Sequence, residues 1–358
     1  MQIKVIVIIF FICLFISLIS INISFKSKFT ISGFLPDLIH PSDKPESLDL
    51  CVRPYHNLLH QMNDKELFWR ASFSPGIKEI PISGVKKIAF LFPTRGPLPF
   101  APLWEKFFRG HKEQYSIYVH SRPGYEPQFP SSSVFFKRQI PSQVAEWGDM
   151  NIVDAERRLL GNALLDIFNE RFVLLSESCI PIFNFSVIYN YIMKSNHSFI
   201  SSFDDEGPHG RGRYSPQMSP TVNISEWRKG SQWFEVDRSL AVTLIADVKY
   251  YPLFKEFCIQ PKIYCYPDEH YFSTLLHIKA GRRLANRSIT FADWTVGGYH
   301  PHTFEATEVS ADTFATFNND HNGCTYNGNS IYICFLFARK FAPSALDNLM
   351  ELSHVIGY

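Results

Sequence analysis

The feature that most limits what this chain can fold into is an alternation of short apolar runs with amphipathic ones between residues 86 and 175. "KKIAFLF" reads as a buried strand, "APLWEKFFRG" as a short helix closed by Gly110, and "YSIYVH" as a second strand. After a further apolar piece, "VFF", the segment "NIVDAERRLLGNALLDIF" puts Leu159, Leu160, Ala163, Leu164, Ile167 and Phe168 on one helical face. "RFVLLS" follows at once as a strand. Such alternation predicts an α/β domain with a mostly parallel central sheet flanked by helices, in which loops at the carboxyl ends of strands make the site. Further on, "SQWFEV" reads as a strand, Asp237 caps the helix of "RSLAVTLIADV", and "PDEHYFSTLLHIKAG" reads as a helix stopped by Gly281.

The 358 residues can bury a large core, and 35 basic against 34 acidic side chains leave a formal charge of +1. A chain this neutral has no global field to attract nucleic acid or an anionic membrane, so anion binding must be local. No Gly-x-Gly-x-x-Gly or P-loop pattern supports a dinucleotide- or nucleotide-binding reading of those classes.

Residues 5 to 21, "VIVIIFFICLFISLISI", are apolar except for two serines. A run of this length suits a bilayer-spanning helix or a signal-peptide core, and the lack of a small-x-small pattern between Asn22 and Lys28 favours an uncleaved anchor. The expected organisation is a tail at 1–4, a transmembrane signal anchor at 5–23, a lumenal stem at 24–84 and a lumenal globular domain at 85–358. In an oxidising lumen, Cys258 with Cys265 and Cys324 with Cys334 are the close pairs able to staple loops. Cysteine and histidine spacing gives no zinc pattern. Asn184, Asn196, Asn223 and Asn286 begin sequons suited to glycosylation, whereas Asn22 lies too near the anchor.

Two segments carry candidate chemistry. In "FDDEGPHGRGRY", Asp204, Asp205 and Glu206 follow an extended stretch and could hold a divalent cation, but His209, Arg211 and Arg213 compete for them. If the loop is extended, Arg211 and Arg213 face one side and suit a carboxylate or phosphate; a self-neutralising surface loop is the plain alternative. In "PDEHYF", Asp268 is the expected N-cap, leaving Glu269 in the first turn but off the capping-box position. A carboxylate there is favoured in its charged form by the helix dipole and suits a proton acceptor. His270 points elsewhere and is expected to pack. Trp233 of "KGSQWF" offers a ring to a sugar or to the core, and Arg339 with Lys340 offers a cation pair to a diphosphate or to solvent. "SESC" lacks the elbow glycine of a serine nucleophile.

"LFPTRGPLPFAPLWEKFF", "YSIYVHSRPGY", "DAERRLLGNALLDIFNERFVLLSESCIPIFNF", "SSFDDEGPHGRGRY", "WRKGSQWFEVDR", "YPDEHYF", "LANRSITFADW" and "CFLFARKF", taken in order, closely resemble the plant branch of the core-2/I-branching β-1,6-N-acetylglucosaminyltransferase family. The resemblance spans about residues 85 to 342 and implies a single-pass type II Golgi membrane enzyme. Its catalytic domain would be GT-A-like, inverting, and free of metal or other cofactor. It assigns Glu269 as catalytic base, Gln232 and Trp233 to the acceptor side, and Arg339 and Lys340 to the donor diphosphate. Asp205, Arg211 and Arg213 fit as acceptor-binding or loop-ordering groups. Where animal members end the second strand in an aspartate that helps hold the nucleotide, this chain has His120.

The partners so implied are a UDP-sugar, a glycan or glycoprotein acceptor and the Golgi membrane, with no nucleic acid; a homodimer is compatible with the sequence. N-acetylglucosamine is the family's donor sugar. A β-glucuronosyltransferase acting on arabinogalactan-type glycans is the nearest alternative and would want an extra cation such as Arg211 or Arg213. A carbohydrate-binding homologue without turnover and a metal-dependent hydrolase stand further off.

Overall fold

The computed structural model describes residues 58–74, 80–260, 263–317 and 323–357, all within one compact unit that runs from Val52 to Tyr358. The expected anchor at 5–23 and most of the expected stem lie outside the described residues. Among the described residues no helix is long and apolar enough to cross a membrane.

Helix α1 (Asp64–Ala71) precedes β1 (Lys87–Pro93), α2 (Ala101–Phe108), β2 (Tyr115–His120), α3 (Met150–Leu164), β3 (Asn169–Leu174), β4 (Cys179–Pro181) and α4 (Phe185–Met193). Then come β5 (Glu235–Asp237), α5 (Arg238–Ile245), α6 (Tyr251–Phe257), the hairpin of β6 (Ile259–Gln260) and β7 (Ile263–Tyr264), and α7 (Pro267–Ala280). The chain ends with β8 (Thr290–Ala292), α8 (Ala311–Thr316), the hairpin of β9 (Cys324–Tyr326) and β10 (Asn329–Ile331), β11 (Phe337–Arg339) and α9 (Leu346–Ile356). The central sheet has the order β2-β1-β3-β5, with β1 parallel to both neighbours and β5 antiparallel to β3. A second sheet, β4-β11-β8, pairs β11 antiparallel with β4 and parallel with β8. The expectation of a parallel-rich α/β domain therefore holds.

The apolar run of β1 is continuous because both faces of the strand are covered. Ile88, Phe90 and Phe92 point into a core shared with α2, α4, α9 and the second sheet, while Ala89 and Leu91 point into one shared with α3, α5 and α7. Phe90 meets Trp104, Phe107 and Phe108 edge-on at 6.1, 6.0 and 4.9 Å. Truncating such a ring to alanine costs about 3–5 kcal/mol.

Several boundaries differ from the sequence expectation. Helix α3 stops at Leu164, short of Ile167 and Phe168, because polar side chains take its last carbonyls: Asn169 donates to Ala163 O and Arg238 to Leu164 O. Of "SQWFEV" only Glu235 and Val236 are strand, within β5, which is locked to β3 by the buried pair of Arg171 and Glu235 at 2.6 Å. Within the stretch expected as stem, α1 packs on the domain. Asn63 and Glu66 form its capping box, Leu67 and Ala71 are buried, and Arg158 of α3 grips Asp64 through two bonds of 2.8 Å. Cys258 is bonded to Cys265, tying the end of α6 to the approach of α7, and Cys324 to Cys334. Cys179 is buried and takes no part in a disulfide.

Candidate active site

The expected cap of α7 is corrected by the structure. Tyr266, not Asp268, is the N-cap; it stands at φ 51° and makes no side-chain cap bond. Pro267 opens the helix, so Asp268 is its second residue and Glu269 its third, which is the capping-box position. The box does not form. Instead of reaching back to the cap, the Glu269 carboxylate accepts from Arg213 Nη1 at 2.7 Å, with Lys229 Nζ at 3.4 Å from the same oxygen, Oε2. Helix capping therefore does not account for this side chain, which is about one-fifth exposed.

The backbone around Glu269 is held from the "KGSQWF" side. Gly230 donates its N–H to Glu269 O at 2.7 Å. A side chain at position 230 would run into the Ser201 carbonyl and the Ser273 hydroxyl, so this approach admits only glycine. His270 turns away, as expected. It is fully buried, stacks on Trp227 at 4.6 Å, and its Nδ1 lies 2.8 Å from Arg228 O; burial lowers its pKa to about 3, so the ring is neutral.

Behind Glu269 lies a buried polar group that sequence patterns did not reveal. Asp268 is 5% exposed and its Oδ1 has no hydrogen-bond partner. Burial, and then the neighbouring Glu269, raise its pKa to about 7. Glu156 of α3 is fully buried; its Oε1 accepts from Gln232 Nε2 at 2.8 Å, and burial holds its pKa well above the usual carboxylate range. Gln232 is thus oriented by a side chain 76 residues away, a relation that spacing cannot show.

Trp233 is 6% exposed, and the Arg339 guanidinium lies 4.1 Å from its ring centre. That ring belongs to the core on one side and carries a cation on the other. Arg339 ends β11, and its Nε has no partner. Burial lowers its pKa from the ordinary value. Lys340 follows at φ 142°, a backbone region that side-chain-bearing residues avoid, fixed by the bond from Phe304 N to Lys340 O at 2.8 Å. Arg95, just beyond β1, and Glu177, just beyond β3, share this electrostatic neighbourhood with Arg339 and Lys340. Sequence reasoning missed Arg95 and Glu177, although both stand at carboxyl ends of parallel strands, where sites form.

The remaining candidates separate. Arg211 and Arg213 occupy a 3₁₀ turn, not an extended loop, so they diverge. Arg211 grips Asp204 with two bonds of 2.8 Å and lies 3.3 Å from Glu206, while Arg213 goes to Glu269. Asp205 accepts from Gly207 N at 2.7 Å and shapes its own turn. His120 is 2% exposed; its Nε2 accepts from Gln143 N at 3.3 Å, and burial followed by nearby Arg158 lowers its pKa to about 4. It anchors the segment leading into α3. Among the described residues, no group of three or more His, Cys, Asp or Glu side chains is placed to hold a metal ion. Asn196, Asn223 and Asn286 are exposed, whereas Asn184 caps α4 through Val187 N at 3.0 Å.

Residues 88–317 match the model of the Core-2/I-Branching enzyme family. The chain belongs to this family. It is also 36% identical, over 320 residues, to the "Glycosyltransferase BC10" of Oryza sativa subsp. japonica, an alignment covering 77% of this chain and 79% of that protein. Within the core-2/I-branching family the chain is a glycosyltransferase of plant-branch type. The candidate site thus offers a largely buried carboxylate in the first turn of α7, cations just beyond β1 and at the end of β11, and buried polar groups in Asp268 and Glu156.

Proposed function

We propose that this protein is an inverting, metal-independent glycosyltransferase that moves N-acetylglucosamine from its UDP-sugar to a hydroxyl of a glycan or glycoprotein acceptor. Glu269 takes the proton from the acceptor hydroxyl as its oxygen attacks the anomeric carbon from the face opposite UDP. The bond from that carbon to the diphosphate oxygen breaks, and UDP leaves with the electron pair, its charge met by Arg339 and Lys340. One base and no protein nucleophile suffice for inversion. The observation that carries the reading is the placement of Glu269 in the first turn of α7, bound to Arg213 and Lys229 and not to the helix cap. The reading includes a GT-A-like domain lumenal in the Golgi behind an N-terminal anchor, as the apolar run at 5–21 suggests.

A uronic acid donor is less well supported, since both arginines that would meet its carboxylate already have carboxylate partners. The test is a panel of UDP-sugars offered to the purified lumenal portion with EDTA present, scored by UDP release with and without glycan acceptors. Release from UDP-N-acetylglucosamine alone is expected. Turnover that vanishes with EDTA, or release confined to UDP-glucuronate, would overturn the reading.

A further inference from the structure

The helix that carries Glu269 begins among aromatic rings that the chemistry above does not use. The ring of Tyr266 lies 4.8 Å from Tyr264 and 5.1 Å from Trp147, and Trp147 lies 5.2 Å from the ring of His300. Tyr266 also lies beneath Arg213, whose guanidinium is 4.3 Å from its centre and is the same group bonded to Glu269. Trp147 is 43% and Tyr264 44% exposed, a large apolar area to leave in water beside a site.

The arrangement is built. Tyr266 holds a positive φ directly before a proline, where side-chain-bearing residues are strained, and such strain collects at functional positions. Gly148 stands at φ 84°, and a Cβ there would come within 2.8 Å of the Tyr264 hydroxyl, so the segment bearing Trp147 is applied closely to Tyr264. The same segment is tied through Gln143 to His120 and to Arg158, at 3.3 and 2.8 Å. On the other side, the disulfide of Cys265 pins the residue between Tyr264 and Tyr266.

We propose that Trp147, Tyr264 and Tyr266 form a shelf that binds sugar rings of the glycan acceptor next to the ring whose hydroxyl faces Glu269. Sugars present apolar C–H faces that cover aromatic rings, while Arg213 and His300 at the shelf edge suit their hydroxyls. Rigid rings bind at low cost in side-chain entropy. The donor is the less suitable occupant: the cations fit for its diphosphate lie beyond β1 and β11, whereas the shelf connects to the base through Tyr266 and Arg213. This inference rests on Glu269 being the base that meets the acceptor.

The test is an array of plant cell-wall oligosaccharides probed with the wild-type protein, Glu269→Gln, Trp147→Ala and Trp147→Phe, followed by kinetics on a captured glycan. Wild type and Glu269→Gln are expected to capture the same glycans. Trp147→Ala should lose roughly tenfold or more in capture and raise the acceptor KM by a similar factor, with a smaller change in donor KM, as loss of an aromatic contact would give. Trp147→Phe should restore most of the binding. Capture by Trp147→Ala equal to wild type, a rise confined to the donor KM, or no capture by wild type would each overturn the shelf. Capture lost in Trp147→Ala while Glu269→Gln turns over normally would support the shelf and remove Glu269 as base.

Discussion

Arg213 holds Glu269 by one oxygen. Its Nη1 and Lys229 Nζ both reach Oε2, at 2.7 and 3.4 Å, and no side chain among the described residues hydrogen-bonds Oε1. The carboxylate is thus steadied on one side and open on the other, an arrangement fit for taking a proton from a hydroxyl in a fixed direction. Changing Glu269 to Gln preserves the shape and the neighbours but removes the basic oxygen. Turnover should fall by roughly 10² or more, with the circular dichroism spectrum and UDP affinity retained. A variant with near-normal UDP release would take Glu269 out of the mechanism.

Arg213 itself contributes a charge-assisted bond and a cation over Tyr266. Losing a hydrogen bond to a charged group costs about 1.5–3 kcal/mol. If this cost falls on the transition state, Arg213→Ala should slow turnover by about ten- to a hundredfold. Arg213→Lys keeps the charge without the planar stack and should recover only part of that loss. Steady-state rates of the two variants, measured with a shared acceptor, decide the matter. Equal rates for both and for wild type would reduce the pair to a surface contact.

What could be read from the sequence was the part governed by local periodicity. The run of β1 is apolar from Ile88 to Pro93 because both faces of the strand are covered, and that pattern survives without the structure; β2 and β3 carry it in part, with Ser116 and His120 in the one and Asn169, Glu170 and Arg171 opening the other. The end of α3 is not legible in this way, because Asn169 and Arg238 supply the partners for its last carbonyls from beyond the helix. At the candidate site, Glu269, Arg339 and Lys340 are legible in the sequence as charges, whereas their surroundings are not. The bond from Gln232 to Glu156 crosses 76 residues, and the diverging directions of Arg211 and Arg213 depend on a 3₁₀ turn that an extended-loop reading replaces. The sequence points to Asp268 as the cap of α7 because Asp before a helical run is the usual cap, whereas a strained tyrosine before the proline takes that place.

The cations at the strand ends make a separate prediction. Lys340 and Arg339 share their neighbourhood with Arg95, and burial lowers the pKa of both Lys340 and Arg339. Repulsion among these groups would be relieved by a bound diphosphate. Lys340→Gln and Arg95→Gln should each raise the inhibition constant of UDP by about tenfold or more, the loss expected for a charge-assisted hydrogen bond. The wild-type constant should also rise with salt. An inhibition constant unchanged in both variants would move the diphosphate elsewhere.

Asp268 ties the site to stability. Its pKa is raised from 3.8 to about 7, by burial first and then by the charge of Glu269. Between those values the folded chain keeps a proton that the unfolded chain has released, so stability falls as pH rises. The contribution is complete below about pH 4 and is withdrawn up to about pH 7, at no more than about 1.4 kcal/mol per pH unit. Asp268→Asn leaves a neutral group of the same shape and removes this dependence. Thermal unfolding of wild type and variant at pH 5 and pH 7.5 should show a larger fall in Tm for wild type, so the two converge at low pH and separate at high pH. Parallel curves would mean that Asp268 is ionised throughout and that its Oδ1 has found a partner in solution.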